Sequence, residues 1–217
     1  MPKIIKTGIR PSLLALKQVK EIQGLVPKVR LEIIPIETRG DQDKVTPLID
    51  EEGSDFFSAE IEEALLAGSI DIAIHSAKDL ERDIPDGLVI AALTKSISPD
   101  ECLVSRGNVP LDKLPAGSCI ATSSRKRQEA ILRFRPDLRV TGVRGNIDER
   151  LAQLDSGKFD ALVVAHAALI RLGLEQRITQ IIPQEIIPPH PLQGRLAVQI
   201  RSNREDLLEI FRSIDER

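Results

Sequence analysis

Apolar and polar positions along this chain alternate with two periods, one suited to strands and one to helices. Residues 3–9 are an apolar-rich run ending around Gly8 and predict a strand. Ser12 is then placed to cap a helix over 13–23, with Leu13, Leu16, Val19 and Ile22 or nearby apolar residues on one face. Residues 29–38 alternate well enough for a second strand, in which Pro35 points to a sheet edge or a strand end, and Arg39, Gly40 and Asp41 read as the turn after it. Residues 57–67 predict a helix with early acids Glu60, Glu62 and Glu63 and Gly68 as its stop. Residues 70–74 then form a strand that runs into His75-Ser76-Ala77-Lys78-Asp79.

The second half repeats this order. A strand at 118–121 leads to a helix opened by Thr122-Ser123-Ser124 and running to about Phe134. A strand at 139–143 is followed by Arg144-Gly145-Asn146, a helix ending over 150–154 and stopped by Gly157, and a strand at 159–165. The halves share a phrase: Leu66-Ala67-Gly68-Ser69-Ile70-Asp71-Ile72 parallels Asp155-Ser156-Gly157-Lys158-Phe159-Asp160-Ala161. With the alternation of strands and helices, the repeat predicts two similar α/β lobes. Ligands of such sheets bind beyond the carboxyl ends of the strands. The polar clusters fall there: Arg10 and Ser12, Arg39 to Asp41, Lys78 and Asp79, Thr122 to Arg127, Arg144 to Asn146. Two facing lobes would pool them in one cleft lined by arginine and lysine, suited to a small polycarboxylate.

Composition narrows the function. The 217 residues are 41% apolar and 29% charged, which is globular, and the net charge of -3 favours neither nucleic acid nor a membrane surface as a partner. No apolar run reaches the ~18 residues needed to cross a bilayer, and the first residues lack a signal-peptide pattern. Cys102 and Cys119 are too few for a disulfide framework and lack metal-ligand spacing, so a reducing cytoplasm is expected and no metal. The chain has no Trp and no Tyr, which argues against base stacking. His75, His166 and His190 lie far apart and read as structural histidines.

The candidate chemistry lies in three clusters. Thr122, Ser123 and Ser124 open a helix, where free N–H groups, hydroxyls and the helix dipole favour an anion, and the basic residues Arg125, Lys126 and Arg127 oppose that dipole unless an anion is bound. The competing interpretation is a solvated basic helix start with Ser124 as a plain cap. Arg144, Gly145 and Asn146 with Arg150 bring two guanidinium groups near one turn, suited to carboxylates or, alternatively, to surface pairing with Asp148 or Glu149. Asp79 beside Lys78 at a strand end is suited to stabilising a developing cation or moving a proton; alone it reads equally as a turn carboxylate paired with Lys78 or Arg82.

These clusters, in this order, resemble the porphobilinogen deaminase (hydroxymethylbilane synthase) family. The matching segments are IRPSLLALKQ (9–18), ETRGDQDKVTPL (37–48), EIEEALLAGSIDIAIHSAKD (60–79), DKLPAGSCIATSSRKRQ (112–128), RPDLRVTGVRGNIDERLAQLDSGKFDAL (135–162), AALIRLGLEQRI (167–178) and PLQGRLAVQIR (191–201). The resemblance covers essentially the whole chain, and the set HSAKD, TSSRKRQ, VRGNIDER and LQGRLAVQ is far more specific than any one motif. It implies an α/β fold of two periplasmic-binding-protein-like lobes with mixed sheets flanked by helices. Lobe one would be 1–94 plus 195–217 and lobe two 95–194. It implies a monomeric cytoplasmic transferase of porphyrin and heme biosynthesis. Such an enzyme condenses four units of the small-molecule substrate porphobilinogen head to tail into a linear tetrapyrrole and releases ammonia.

By the same resemblance the catalytic residue is Asp79. The substrate- and cofactor-binding positions fall on Arg10, Ser12, Lys78, Thr122, Ser123, Ser124, Lys126, Arg127, Arg144, Gly145, Asn146, Arg150, Arg171 and Gln193. The implied cofactor is dipyrromethane, the primer for chain growth, which the family attaches to a cysteine in a third, C-terminal domain. This chain stops at Arg217, where that domain would begin, so the expectation is that it is absent. The primer is then expected to be held non-covalently, or by Cys119 or Cys102, with Cys119 the better placed. Acid, Ser and Ala stand at 53–59 where the family carries lysines, and Lys126 stands where it carries an arginine. Two readings compete with the enzyme: a non-catalytic pyrrole-carboxylate binder, and a fragment needing a partner that supplies the cofactor cysteine. Retention of Asp79 beside Lys78 favours the enzyme.

Overall fold

The structure, a computed structural model, describes residues 2–43, 46, 55–80 and 83–217. The chain folds into two compact units, one built from Met1–Asp43, Gly53–Ile97 and Gly194–Arg217, the other centred on Ser98–Gln193.

Unit one contains β1 (Lys3–Ile9), α1 (Leu13–Leu25), β2 (Val29–Pro35), the helical turn α2 (Arg39–Gln42), α3 (Ala59–Leu66), β3 (Ile72–Ser76) and β4 (Leu88–Leu93). It is completed by β10 (Leu196–Arg201) and α7 (Glu205–Phe211). The sheet order is β2-β1-β3-β10-β4. Strands β2, β1 and β3 are parallel, and β10 runs antiparallel to both β3 and β4. Successive residues of β3 face opposite sides, as a strand requires. Ile72 and Ile74 join the cluster under α1 and α7 with Val19, Ile22, Leu207 and Phe211. Ala73 joins Ile61 and Leu65 of α3 on the other side. Gly8 lets α3 and its flank close on the sheet: a Cβ there would stand 2.3 Å from Ile70 Cδ1.

Unit two contains β5 (Glu101–Ser105), β6 (Cys119–Ala121), α4 (Arg125–Phe134), β7 (Arg139–Thr141), α5 (Ile147–Asp155), β8 (Ala161–Ala165), α6 (His166–Leu172) and β9 (Gln180–Ile182). Its sheet order, β7-β6-β8-β5-β9, has the same pattern: three parallel strands, then an antiparallel one, then an outer one. Ile120, Ala161 and Val163 pack with Ile131 of α4. Ala121, Leu162 and Val164 pack on the opposite face with Leu151 and Leu154 of α5 and Leu169 of α6. The expected α/β class with mixed sheets flanked by helices is what the chain forms.

Several local expectations change. Helix α1 is capped by Ser12, but Leu13 and Leu16 are 48% and 43% exposed; the buried positions are Ala15, Gln18, Val19 and Ile22. The true inward face lies about one residue step from the apolar stripe, because Gln18 turns inward to hydrogen-bond a strand end. Residues 39–41 form a helical turn rather than a plain turn, since Thr38 caps it and Asp41 returns to the Thr38 amide. The helix expected over 57–67 is shorter, Ala59–Leu66. Of the altered stretch at 53–59, Gly53 and Ser54 lie outside the described residues, as does Arg82.

Candidate active site

In unit two, β6 ends at Ala121 and the chain turns through Thr122, Ser123 and Ser124 into α4. Thr122, 2% exposed, extends the β6–β7 pairing through its N–H to Thr141 O at 3.0 Å. Ser124 caps α4, its Oγ accepting from Arg127 N at 3.5 Å. The neighbouring strand β7 leads into Arg144-Gly145-Asn146. Gly145 has φ 98°, a left-handed conformation that suits glycine, and a Cβ there would meet Glu149 Oε2 at 2.5 Å. Asn146 caps α5 in a capping box, with Glu149 Oε2 accepting from Asn146 N at 2.7 Å.

Arg150, in the first turns of α5, reaches back over both turns. Its Nε donates to Gly145 O at 2.7 Å and its Nη1 to Ser123 Oγ at 3.0 Å. These two bonds orient the guanidinium over both turns. Arg144 is half-buried, and its carbonyl accepts from Gln153 Nε2 at 3.1 Å. Lys126 is exposed on the first turn of α4, and Arg171 is half-buried in the last turn of α6. The structure thus brings Ser123, Gly145 and Arg150 into direct contact, with Thr122, Ser124, Arg144 and Asn146 on the same two turns.

Two other expected binding residues of unit two are committed to structure. Arg127 is 7% exposed and pairs side-on with Glu101, itself 5% exposed: Nε to Oε1 at 2.9 Å and Nη2 to Oε2 at 2.8 Å. Gln193 is 1% exposed, its Nε2 donating to Pro99 O and Asp100 O. The sequence reading missed Glu101; a lone acid opening an apolar strand, Glu-Cys-Leu-Val, is the signal that a buried cation waits for it.

Cys102 does not fit the attachment expectation. It is fully buried with Sγ 3.4 Å from Val164 O, and burial, reinforced by the Glu101 charge against that of Arg127, pushes its thiol up to about 12. A thiol that is neutral and enclosed is not a nucleophile. Cys119 is half-buried at the start of β6, and its N–H donates to Asp160 Oδ2 at 2.8 Å.

In unit one, Arg10 follows β1 and Ser12 caps α1, with Oγ accepting from Ala15 N at 3.1 Å. Arg10 lies against Asp41, Nη2 to Oδ1 at 2.5 Å and Nε to Oδ1 at 3.1 Å, with its Cζ 4.0 Å from the Phe57 ring centroid. Burial works to raise the Asp41 pKa, but the Arg10 hydrogen bonds and charge, with the Thr38 hydroxyl and amide, hold it below the ordinary carboxylate value. Strand β3 delivers Ser76 and then a single 3-10 turn, Ala77–Leu80, in which Lys78 is half-buried and Asp79 exposed. That turn is anchored at its root by Ala77 N to Arg195 O at 3.1 Å and by Gln18 Nε2 to Ser76 Oγ at 3.0 Å. Among the described residues, no group of His, Cys, Asp and Glu is placed to hold a metal ion.

Comparison with known proteins identifies the family. The family profile described as "Porphobilinogen deaminase, dipyromethane cofactor binding domain" matches residues 5–209. The porphobilinogen deaminase of Syntrophus aciditrophicus (strain SB) is 42% identical over 207 residues, covering 94% of this chain and 68% of that protein. That of Pelotomaculum thermopropionicum is 40% identical over 221 residues, covering 100% and 71%. Among solved structures, a periplasmic substrate-binding protein of an ABC transporter from Coxiella burnetii is similar with TM-score 0.54 at 16% identity, covering 99% of this chain and 92% of that one. The periplasmic VFT2 domain of BvgS from Bordetella pertussis is similar with TM-score 0.52 at 15% identity, covering 97% and 86%. At such identities the likeness is one of fold, and the fold is the periplasmic-binding-protein-like one expected. The match over residues 5–209 and the identities near 40% across the whole chain show the family: this chain belongs to the porphobilinogen deaminases.

Proposed function

We propose that this chain condenses four porphobilinogen units head to tail into a linear tetrapyrrole with release of ammonia, its basic residues anchoring carboxylates and Asp79 serving as the catalytic carboxylate. The observation that carries this is Arg150 drawn back over the Ser123 and Gly145 turns, a guanidinium oriented by both in a chain of this family. Porphobilinogen bears an acetate and a propionate. Each added unit therefore brings two negative charges, and planar guanidinium donors recognise carboxylates bidentately. Thr122, Ser123, Ser124, Lys126, Arg144, Gly145, Asn146 and Arg150 form the anchor set, with Arg171 and Lys78 as further cations. Arg127 and Gln193 contribute by holding the frame, Arg127 through Glu101 and Gln193 through the 99–100 backbone.

Asp79 is the catalytic residue in this reading. Loss of ammonia leaves an electron-poor pyrrolic cation on the substrate, and a carboxylate beside it lowers the energy of that charge. Asp79 sits at the end of a buried strand whose last side chain is fixed by Gln18, so the turn that bears it has a rigid root.

Dipyrromethane, the family's primer, supplies the first pyrroles to which the chain is added. The donor chemistry of unit two fits a group whose periphery is carboxylates. Arg150, Ser123 and Lys126 would hold its carboxylates by charge and hydrogen bonds; of the two thiols Cys102 is closed to covalent chemistry, while Cys119 is half-buried. The chain spans 68–71% of the length of the relatives compared above. The same reading makes the protein a cytoplasmic monomer acting on a small molecule, with neither nucleic acid nor membrane as a partner. Its net charge of -3 and two free cysteines support this. Among the described residues no helix is long and apolar enough to cross a membrane.

Intact mass and absorbance of the purified protein, before and after porphobilinogen, test the reading. A pyrrole chromophore that appears with substrate and is lost on denaturation supports a primer held by side chains. Absence of any bound pyrrole and of any change in porphobilinogen contradicts the function.

A further inference from the structure

In each unit an arginine of the expected binding set lies side-on against a carboxylate, Arg127 on Glu101 and Arg10 on Asp41, and the two pairs differ in what they leave over. Arg127 and Glu101 are enclosed, with side chains 9% and 5% exposed. Arg10 and Asp41 are more open, at 29% and 12%. Asp41 takes the Nε and Nη2 edge of Arg10. Its other oxygen, Oδ2, accepts from Thr38 Oγ1 at 2.8 Å and from Thr38 N at 3.2 Å, so the carboxylate is itself locked. Phe57 covers one face of the guanidinium. Gly40 makes room for that ring, since a Cβ at position 40 would stand 2.2 Å from Phe57 Cε1. No described residue takes the Nη1 hydrogens of Arg10.

We propose that Asp41 is a positioning residue for Arg10, fixing the guanidinium by one edge so that Nη1 remains the donor for one carboxylate of the substrate. This rests on the functional reading above. A free arginine side chain must lose most of its rotamer freedom to grip a ligand, and the Asp41, Thr38 and Phe57 contacts impose that loss before the ligand arrives. The sign of the effect makes the idea testable. By charge alone, Asp41 repels an anionic ligand, so removing its charge should tighten binding. As a positioning group, its loss should weaken binding.

Dissociation constants for porphobilinogen, with kcat and KM and a urea midpoint, should be measured on the full chain. The proteins compared are wild type, Asp41→Asn, Arg10→Gln and the double variant. The proposal predicts that Asp41→Asn raises Kd and KM about tenfold while kcat changes little. It also predicts that the double variant binds no more weakly than Arg10→Gln alone. Should Asp41→Asn fail to fold, Asp41→Glu, which keeps the charge but shifts the pair, should weaken binding in the same direction. A folded Asp41→Asn or Asp41→Glu protein that binds as tightly as wild type, or tighter, overturns the positioning role and leaves the functional reading standing. A wild-type chain that does not bind porphobilinogen overturns both.

Discussion

Asp71 and Asp160 make the same pair of hydrogen bonds in the two units. Asp71 Oδ2 accepts from Lys6 N at 2.9 Å while Asp71 N donates to Lys6 O at 2.8 Å. Asp160 Oδ2 accepts from Cys119 N at 2.8 Å while Asp160 N donates to Cys119 O at 2.8 Å. Each aspartate precedes the third parallel strand of its sheet and clamps it to the first. The strand ends that carry the candidate chemistry, beyond β1 and β3 and beyond β6, are thus registered by one device used twice. Replacing Asp160 by alanine should cost about 1 kcal/mol, the ordinary worth of such a bond, and replacing Asp71 more, since it also pairs with Arg204. The two losses should add, since they lie in separate units. Urea unfolding of the two single variants and the double checks this. A double variant no less stable than either single would contradict the independence of the clamps.

Acid should loosen unit one through several carboxylates held below the ordinary value, Asp41, Asp71, Asp206 and Asp215. Burial works to raise the Asp71 pKa, but its bonds to Arg204 and Lys6 N and the nearby charges of Arg204 and Arg201 bring it below the ordinary value, as happens for Asp41. A depressed folded-state pKa adds stability that is fully present above the unfolded value near ~4 and is lost as pH falls through the folded one. The urea midpoint should therefore drop between neutral pH and about pH 3. Asp71→Asn should shrink that drop while lowering the midpoint at neutral pH. An equal drop in the variant would show that Asp71 is not among the groups responsible.

Arg150 and Ser123 should act as a binding unit. Arg150→Gln should weaken porphobilinogen binding by about 10- to 100-fold, the range for loss of a charged hydrogen bond. Ser123→Ala should cost less, because the guanidinium keeps Gly145 O. Calorimetric titration at low and moderate salt separates the two, and unchanged affinity in Arg150→Gln would remove unit two's anchor from the account.

The thiols should react unequally. In native protein at about pH 8, a colorimetric thiol reagent should label Cys119 and spare Cys102, whose thiol is raised to about 12. Unfolding should release the second equivalent. Rapid native labelling of Cys102 would reopen it as an attachment point.

What the residues disclosed in advance was local. Ser12 before an apolar-periodic run, Gly68 and Gly157 after helices, and the repeated phrase around Asp71 and Asp160 all act within a few residues of where they are read. Glycine at φ 74° and 80° is a property of the turn itself. The strand-end clusters were legible for the same reason, while their attribution to pyrrole chemistry came from the family resemblance. The hidden parts depend on partners distant in sequence. Strand β10 is buried at every position from Leu196 to Ile200, so it shows no alternation, and it pairs with β3 more than 100 residues earlier. The Arg127–Glu101 pair and the Phe57 cover on Arg10 are likewise tertiary, and a basic residue in a motif does not reveal whether its charge is already matched. Leu13 and Leu16 misled because the helical period fits more than one face until Gln18 is seen to turn inward.

In the proposed function this chain itself joins porphobilinogen units, with Asp79 as the carboxylate that assists loss of ammonia. Ammonia release and linear tetrapyrrole formation should be followed together on purified wild type and Asp79→Ala, with porphobilinogen affinity measured on both. The account predicts one ammonia per pyrrole joined in wild type, and turnover at least about 100-fold lower in the variant with affinity within a few-fold, as expected when charge stabilisation in the transition state is removed. Undiminished turnover in Asp79→Ala, or porphobilinogen left intact by wild type, would contradict it.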